Sequence, residues 1–418
     1  MERTKSKFPW IPLLAVAAAY GAIWNPIYVQ YILYDSMINT LGITNTQLGL
    51  ISTIRTIFGL LCMIPGGWIC DKFDTKKVLI VCSLGLIPFT ILEVLTVHIY
   101  WMQVISFCGM AACTNLGFWP ATLKAVRIIG GKEYQSTCFG VFEAAQGLIA
   151  SLGNFIALAV FAWVANEAGG YKCAMLAMAA YIVVCAVFVG FAFDENKNAD
   201  DVSVAEERKK FSIRETITLL KMPETWLVSL VIFAAMGFYN NQTYTTPYFT
   251  GVLGIAVTSV GAIAIVRDYG SKVLAGPIGG WIGQRISATL LNSIALVVCG
   301  TLFFLVPRMN AGTTGAIAII LIGAIVGNFA KATMWATVDE ANIPLHLTGT
   351  AVGIISVLGN SVPNMLFPLV NGYILDSYAD NLQAGYSLYF TLIFFVCLVG
   401  AAAGVALLIR RKKVLARN

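Results

Sequence analysis

Residues 66–77 read GGWICDKFDTKK, with five charged side chains in twelve positions of a chain whose charged fraction is only 11%. Apolar runs of about 20 residues lie on either side, and a helix of that length crosses the roughly 30 Å hydrocarbon core of a bilayer. The stretch therefore reads as a short polar turn joining two membrane spans. Composition agrees: 58% of the 418 residues are hydrophobic, and a soluble domain carries about 25% charged residues.

Working outward, the apolar pattern predicts twelve helices, at 9–34, 46–70, 77–98, 102–128, 137–165, 172–193, 224–249, 258–283, 288–307, 314–338, 347–374 and 384–409. The first run, from Phe8 to Tyr34, is too long for a cleavable signal segment and reads as a retained span. The long polar loop 194–223 divides the chain into an N-terminal six-helix half, 1–193, and a C-terminal half, 224–418. With the N-terminus placed in the cytoplasm, nineteen Lys and Arg residues fall on the cytoplasmic side and two, Lys172 and Arg308, on the other. By the positive-inside bias, both termini are expected in the cytoplasm of a cell-membrane protein. That asymmetry accounts for the net charge of +6 and calls for no nucleic-acid partner.

Several classes are excluded. The ten cysteines form no C-x-x-C pair and the two histidines, His98 and His346, stand alone, so neither a metal nor a cofactor is expected. No phosphate-binding glycine loop supports ATP-driven transport, and no nucleophile–base constellation supports an enzyme.

The opening stretch has an echo. GGWIC at 66–70 returns as GGWIG at 279–283, 213 residues later. Gly21, Asn25 and Tyr28 recur as Gly237, Asn241 and Tyr244, and Trp119 as Trp335, all 216 later. GLIASLGN at 147–154 finds GIISVLGN at 353–360, an offset of 206. The chain thus reads as two parallel repeats of six helices.

On these features the sequence resembles the major facilitator superfamily. That family's signature between spans 2 and 3 is matched by Gly67, Asp71, Lys72, Lys76 and Lys77, with Asp74 where glycine is usual. The degenerate second copy keeps Gly280 and Arg285 and has Gln284 for the acid. The resemblance implies an all-α polytopic fold of twelve transmembrane helices in two pseudo-symmetric six-helix halves, with the cluster acting as a cytoplasmic gate. Gly67 would admit a close helix approach, and Asp71 would cap a helix or pair with a cation. Lys72, and a bridge between Arg127 and Glu143 near the ends of spans 4 and 5, complete the expected gate.

Ionisable residues inside spans point most directly at function. Arg55 lies twelve residues before Gly67, and Arg267 thirteen before Gly280. At 1.5 Å per residue both sit about 18–20 Å from their helix ends, near mid-bilayer. Asp268 is expected to point about 100° away from Arg267 and to pair with Lys272 at i+4. Both arginines then remain positive toward one cavity. Their planar forks suit a carboxylate, sulfonate or nitrate, the competing reading being neutralisation by acids on other helices such as Glu143. Asn25, Tyr28, Asn241 and Tyr244 offer hydrogen bonds to a polar solute. Lys331, one turn from Trp335, is a further cationic candidate. Glu143, Glu93 and Asp268 are candidates for carrying a proton.

Arginines on spans 2 and 8, with glycine-rich spans 5 and 11, resemble the nitrate/nitrite porters of the superfamily; the wider pattern, with ATVDEANIP at 336–344, resembles its organic anion symporters. The expectation is a monomeric secondary transporter in the lipid bilayer, working by alternating access. It would carry a small organic anion (a carboxylate, sugar acid or sulfonate) with H+ as the coupling ion. The rivals are an inorganic anion porter and, from another class, a non-transporting membrane receptor.

Overall fold

A computed structural model describes residues 8–131, 134–194, 213–309, 312–341, 343–344 and 347–415. The described residues contain no strand. Ten of their helices are long and apolar enough to cross a membrane; spans 7 and 8, both interrupted, bring the architecture to the expected twelve. Most of the central loop, residues 195–212, lies outside the described residues.

The chain divides into two compact units: Met1–Gly42 with Ile54–Glu207, and Ile43–Thr53 with Arg208–Asn418. In unit 1, span 1 runs over Trp10–Ile27, breaks into a tight turn at Val29–Tyr31 and resumes at Tyr34–Leu41. Span 2 is Asn45–Lys72, span 3 Thr75–Leu95, span 5 Gln135–Trp163 and span 6 Glu167–Ala192. Span 4 combines Tyr100–Cys113, a π-helical turn at Thr114–Phe118, and Trp119–Gly130.

Unit 2 repeats the plan with more interruptions. A short helix, Ile213–Lys221, precedes span 7, which runs Pro223–Asn241, tightens at Gln242–Tyr244 and continues over Thr245–Gly251. Span 8 is Val257–Ile265, a π turn at Val266–Gly270, then Ser271–Ile286. Span 9 is Ala288–Leu305, span 10 Gly312–Thr333 and span 12 Leu382–Leu415. Span 11 is Thr348–Ile355, a π turn at Ser356–Ser361, and Val362–Ser377.

The breaks in spans 1 and 7 have local causes. Pro26 removes a backbone donor from span 1. In span 7 the Asn241 amide donates to the Gly237 carbonyl, and the Thr245 hydroxyl to that of Gln242 at 2.7 Å. Such local bonds compete with the regular helix ladder.

Unit 2 also holds the first turns of span 2. Asp376, at the end of span 11, accepts the Asn45 and Thr46 backbone N–H groups at 3.0 and 2.7 Å and the Asn45 side-chain amide at 2.8 Å. The Thr53 hydroxyl donates to the Met365 carbonyl at 2.6 Å. A carboxylate at a helix N-terminus satisfies donors that lack intrahelical partners, and these bonds fasten residues 45–53 to span 11.

The repeat is real in the packing, but one of its sequence matches is out of register. Asn154 on span 5 donates to Asn25 on span 1 at 3.2 Å, and Asn371 on span 11 donates to Asn241 on span 7. The matched contacts therefore pair Asn154 with Asn371, an offset of 217 that continues the 216 found in spans 1 and 7. The GLIASLGN match slides span 11 by eleven residues, three helical turns, because glycine-rich helices look alike one turn to the next. Gly21 shows why a small residue is needed: a Cβ there would stand 2.6 Å from the Gln146 carbonyl oxygen of span 5.

Candidate functional site

Arg55 and Arg267 perform related tasks in their own units: each reaches to the broken part of the preceding odd span. Arg55 is 7% exposed. One of its Nη atoms donates to the Ile27 carbonyl, where span 1 breaks, and its guanidinium lies 4.9 Å over the Tyr28 ring. Among the described residues no carboxylate lies within ion-pair distance of it. A helix-terminal carbonyl and a ring face attract a cation, but neither neutralises it. Tyr28 is half-buried and stacks between Trp24 and Tyr31, with ring centroids 6.0 and 5.0 Å away.

Arg267 is fully buried. Its Nε and Nη2 donate to the two oxygens of Asp268 at 2.8 Å each, and Nη1 donates to the hydroxyls of Thr245 and Thr246 where span 7 breaks. This corrects the expected pairing of Asp268 with Lys272. The 100° separation of consecutive side chains belongs to a regular α-helix, whereas Arg267 and Asp268 sit in a π turn, where the hydrogen-bond ladder widens to i→i+5. The Ser271 hydroxyl donates to the Arg267 carbonyl and accepts from the Asn328 amide at 2.8 Å, tying that turn to span 10.

Lys272, released from the expected pair, sits over the rings of Tyr239 and Tyr269 at 5.1 and 4.9 Å. Lys331 lies over the same Tyr239 ring, at 3.3 Å. Two ammonium groups therefore share one half-buried tyrosine in unit 2. The i+4 spacing from an acid pointed Lys272 to an ion pair; of the two tyrosines it meets, Tyr269 lies three residues before it on span 8, and only Tyr239, from span 7, leaves no local signal. Lys331 and Trp335 do not share a helical face, since the span 10 helix ends at Thr333.

The polar residues on spans 1 and 7 are brought into the helix packing. Asn25 is 1% exposed, accepting from Asn154 and donating to the Ala150 carbonyl at 3.3 Å. Asn241 is fully buried; it accepts from Asn371, and its carbonyl accepts from the Tyr389 hydroxyl. The Tyr244 hydroxyl donates to the Pro368 carbonyl at 3.1 Å. These three hold the interrupted spans against spans 5, 11 and 12, while Tyr28 lies under the Arg55 guanidinium.

Among the gate candidates, the Asp71 side chain lies outside the described residues. Lys72 rests over Trp68 at 4.7 Å. At Gly66, beside Gly67, a Cβ would stand 2.6 Å from the Leu116 carbonyl oxygen. Asp74, in the glycine position, caps span 3 by accepting the Lys77 N–H at 2.9 Å with φ −57°; this turn uses a capping side chain where a left-handed residue is not required. The expected Arg127–Glu143 bridge is absent. Glu143 turns along its own helix to accept from Gln146, and Arg127 Nε is buried without a partner. Lys124 instead donates to the Cys70 carbonyl at 3.3 Å, near the C-terminus of span 2.

Glu93 is fully buried, accepts from the Tyr171 hydroxyl at 2.8 Å and has one oxygen unsatisfied. Glu340, beyond span 10, closes the turn into span 9: it accepts from the Ser287 hydroxyl at 2.6 Å and from the N–H groups of Ala288 and Thr289 at 2.9 and 3.1 Å. Ser287 has φ 92°, a conformation costly for a residue with a Cβ, and the carboxylate holds it. Burial acts to raise the Glu340 carboxyl, but these hydrogen bonds outweigh it and keep it below its ordinary range.

Comparison with known proteins supplies the lineage. The Major Facilitator Superfamily profile matches residues 13–368. Inner membrane protein YihN of Escherichia coli K12 is 26% identical over 425 residues, covering 98% of each chain. A Cupriavidus necator protein named "Probable sulfoacetate transporter SauU" is 22% identical over 359 residues, covering 80% of each. The crystal structure of nucleoside transporter NupG matches with a TM-score of 0.73 at 14% identity, over 95% of this chain and 98% of that one. A profile match over most of the length, on a chain of twelve helices in two repeats, makes this protein a multi-pass membrane transporter of the Major Facilitator Superfamily.

Proposed function

We propose that this chain is a secondary active transporter for a small organic anion, driven by protons, set in the cell membrane with both termini in the cytoplasm. The observation that carries the reading is Arg55: a guanidinium near the middle of a span, 7% exposed, with no carboxylate at ion-pair distance among the described residues. A desolvated cation without a counter-ion is costly, and a solute carboxylate or sulfonate would complete it. Tyr28 would flank the solute. Taken by itself, unit 2 also presents positive charge, from Lys272 and Lys331 around Tyr239, and Arg267 would offer a guanidinium contact to an anionic group there. The relative named for sulfoacetate supports a solute with a small anionic headgroup.

The test is uptake by proteoliposomes across sulfoacetate, sugar acids, simple carboxylates and nitrate, with and without an inward proton gradient. Gradient-driven accumulation of an organic anion is expected. Accumulation of nitrate alone would favour the inorganic-anion reading. Failure of every anion to exchange across the bilayer, with properly folded protein, would favour a receptor.

A further inference from the structure

We propose that Asp268 is the proton-binding group that couples transport, and that its protonation transfers Arg267 from this internal partner to the anionic group of the solute. This rests on the reading of Arg267 as a solute contact and deepens it.

The geometry poses a competition. Both oxygens of Asp268 fill the fork of Arg267, at 2.8 Å from Nε and 2.8 Å from Nη2. A solute carboxylate or sulfonate would present the same pair of oxygens to the same pair of donors. One fork holds one such group, so ionised Asp268 excludes the solute from Arg267. A proton on Asp268 turns one of its oxygens into a hydroxyl and removes its charge, and the fork is open.

The charges balance through the exchange. Before it, Arg267 and the Asp268 carboxylate sum to zero in a buried place. After it, Asp268 is neutral and the solute's negative charge faces Arg267, which is again zero. When the solute leaves, Asp268 returns its proton to water on that side and the internal pair re-forms. One proton thus moves with each solute charge held by Arg267. Because burying an uncompensated charge is unfavourable, the states with proton alone or solute alone at this pair are disfavoured, which is the condition for coupling.

The neighbours are arranged for the exchange. Hydroxyls of Thr245 and Thr246 hold the remaining nitrogen, Nη1, so the guanidinium keeps its place when Asp268 lets go. The Asn328–Ser271–Arg267 carbonyl chain holds the π turn that brings the two side chains together. The other titratable or charged groups around the turn are Lys272 and Tyr269 from span 8, Tyr239 from span 7, Lys331 from span 10 and Tyr389 from span 12. Both lysines lie against tyrosine rings, and among the described residues Asp268 pairs with Arg267.

Infrared difference spectra of the purified protein, acidic minus alkaline, test Asp268 without any solute. A protonated-carboxyl stretch is expected that is lost in Asp268→Asn, shifted in Asp268→Glu and kept in Glu93→Gln. Persistence of the full band in Asp268→Asn overturns the proposal. In proteoliposomes loaded with sulfoacetate, Asp268→Asn is expected to keep exchange across the bilayer and to lose proton-driven accumulation by tenfold or more. Accumulation equal to the parent's overturns the proposal. The double variant Arg267→Gln/Asp268→Asn, which leaves no buried charge, serves in the infrared test should Asp268→Asn alone fail to fold. If Arg267→Lys binds sulfoacetate as the parent does while the Asp268 band behaves as expected, the solute assignment of Arg267 fails and that of the proton group stands.

Discussion

Arg55 and Arg267 occupy matching places in two repeats of one plan, yet among the described residues one has no acid at ion-pair distance and the other is saturated by one. Arg55 sits in an uninterrupted stretch of span 2, with a backbone carbonyl and a tyrosine ring for company. Arg267 sits in a π turn that folds its own neighbour, Asp268, into its fork. The lesson is that pseudo-symmetry conserves the reach of each arginine to a broken span but not its charge state. Unit 1 offers a standing positive charge; unit 2 offers one conditionally, with Lys272 and Lys331 beside it around Tyr239.

This contrast can be broken most sharply at Arg267. Its loss in Arg267→Met leaves Asp268 as a buried unpaired charge, and removing one partner of such a pair costs about 3–5 kcal/mol. A large drop in thermal stability is expected, largely restored by adding Asp268→Asn. A single variant as stable as the parent would mean that the pair contributes no neutralisation. Arg55→Lys should leave stability nearly unchanged, since no charged partner is orphaned and the ammonium can still meet the Ile27 carbonyl, but weaken solute binding by about 30-fold or more, given the 2–5 kcal/mol typical of a desolvated charge contact. Binding measured on purified protein decides this, and an unchanged affinity removes Arg55 from the site.

Smaller effects separate the repeats further. Asp376→Asn removes the charge that accepts three N–H groups at the start of span 2. Hydrogen bonds to a charged group contribute about 1.5–3 kcal/mol, so melting should fall measurably while Arg55-dependent affinity stays. Glu340→Gln tests the turn into span 9 by its pH dependence. The folded carboxyl titrates below its ordinary value, so its stabilisation is complete above about pH 4.3 and is lost as acid passes through the lowered folded value. The parent should lose part of its stability over that acid window, and Glu340→Gln should start lower and lose less. Tyr28→Leu should be mildest, weakening binding by about 1–2 kcal/mol, as for a largely desolvated cation–ring contact, with Tyr28→Phe close to the parent.

Hydropathy alone specifies twelve spans because crossing a bilayer demands a long apolar helix, and that demand is local. The two repeats, the polar turn at 66–77 and the depth of Arg55 and Arg267 follow from the same linear pattern. Which partner each side chain takes does not. Asp268 was assigned to Lys272 on the assumption of an unbroken α-helix, and a π turn reversed it. Glu143 was assigned to Arg127 from proximity of helix ends, but it found Gln146 on its own helix. Asn25 and Asn241 looked free to face a solute until spans 5 and 11 supplied Asn154 and Asn371. In each case the deciding contact comes from a departure from regular helix geometry, a local side-chain bond or a residue more than a hundred positions away. Periodicity determined where the helices are and how deep their charges lie; only the packing of one helix on another decided which of those charges are already neutralised.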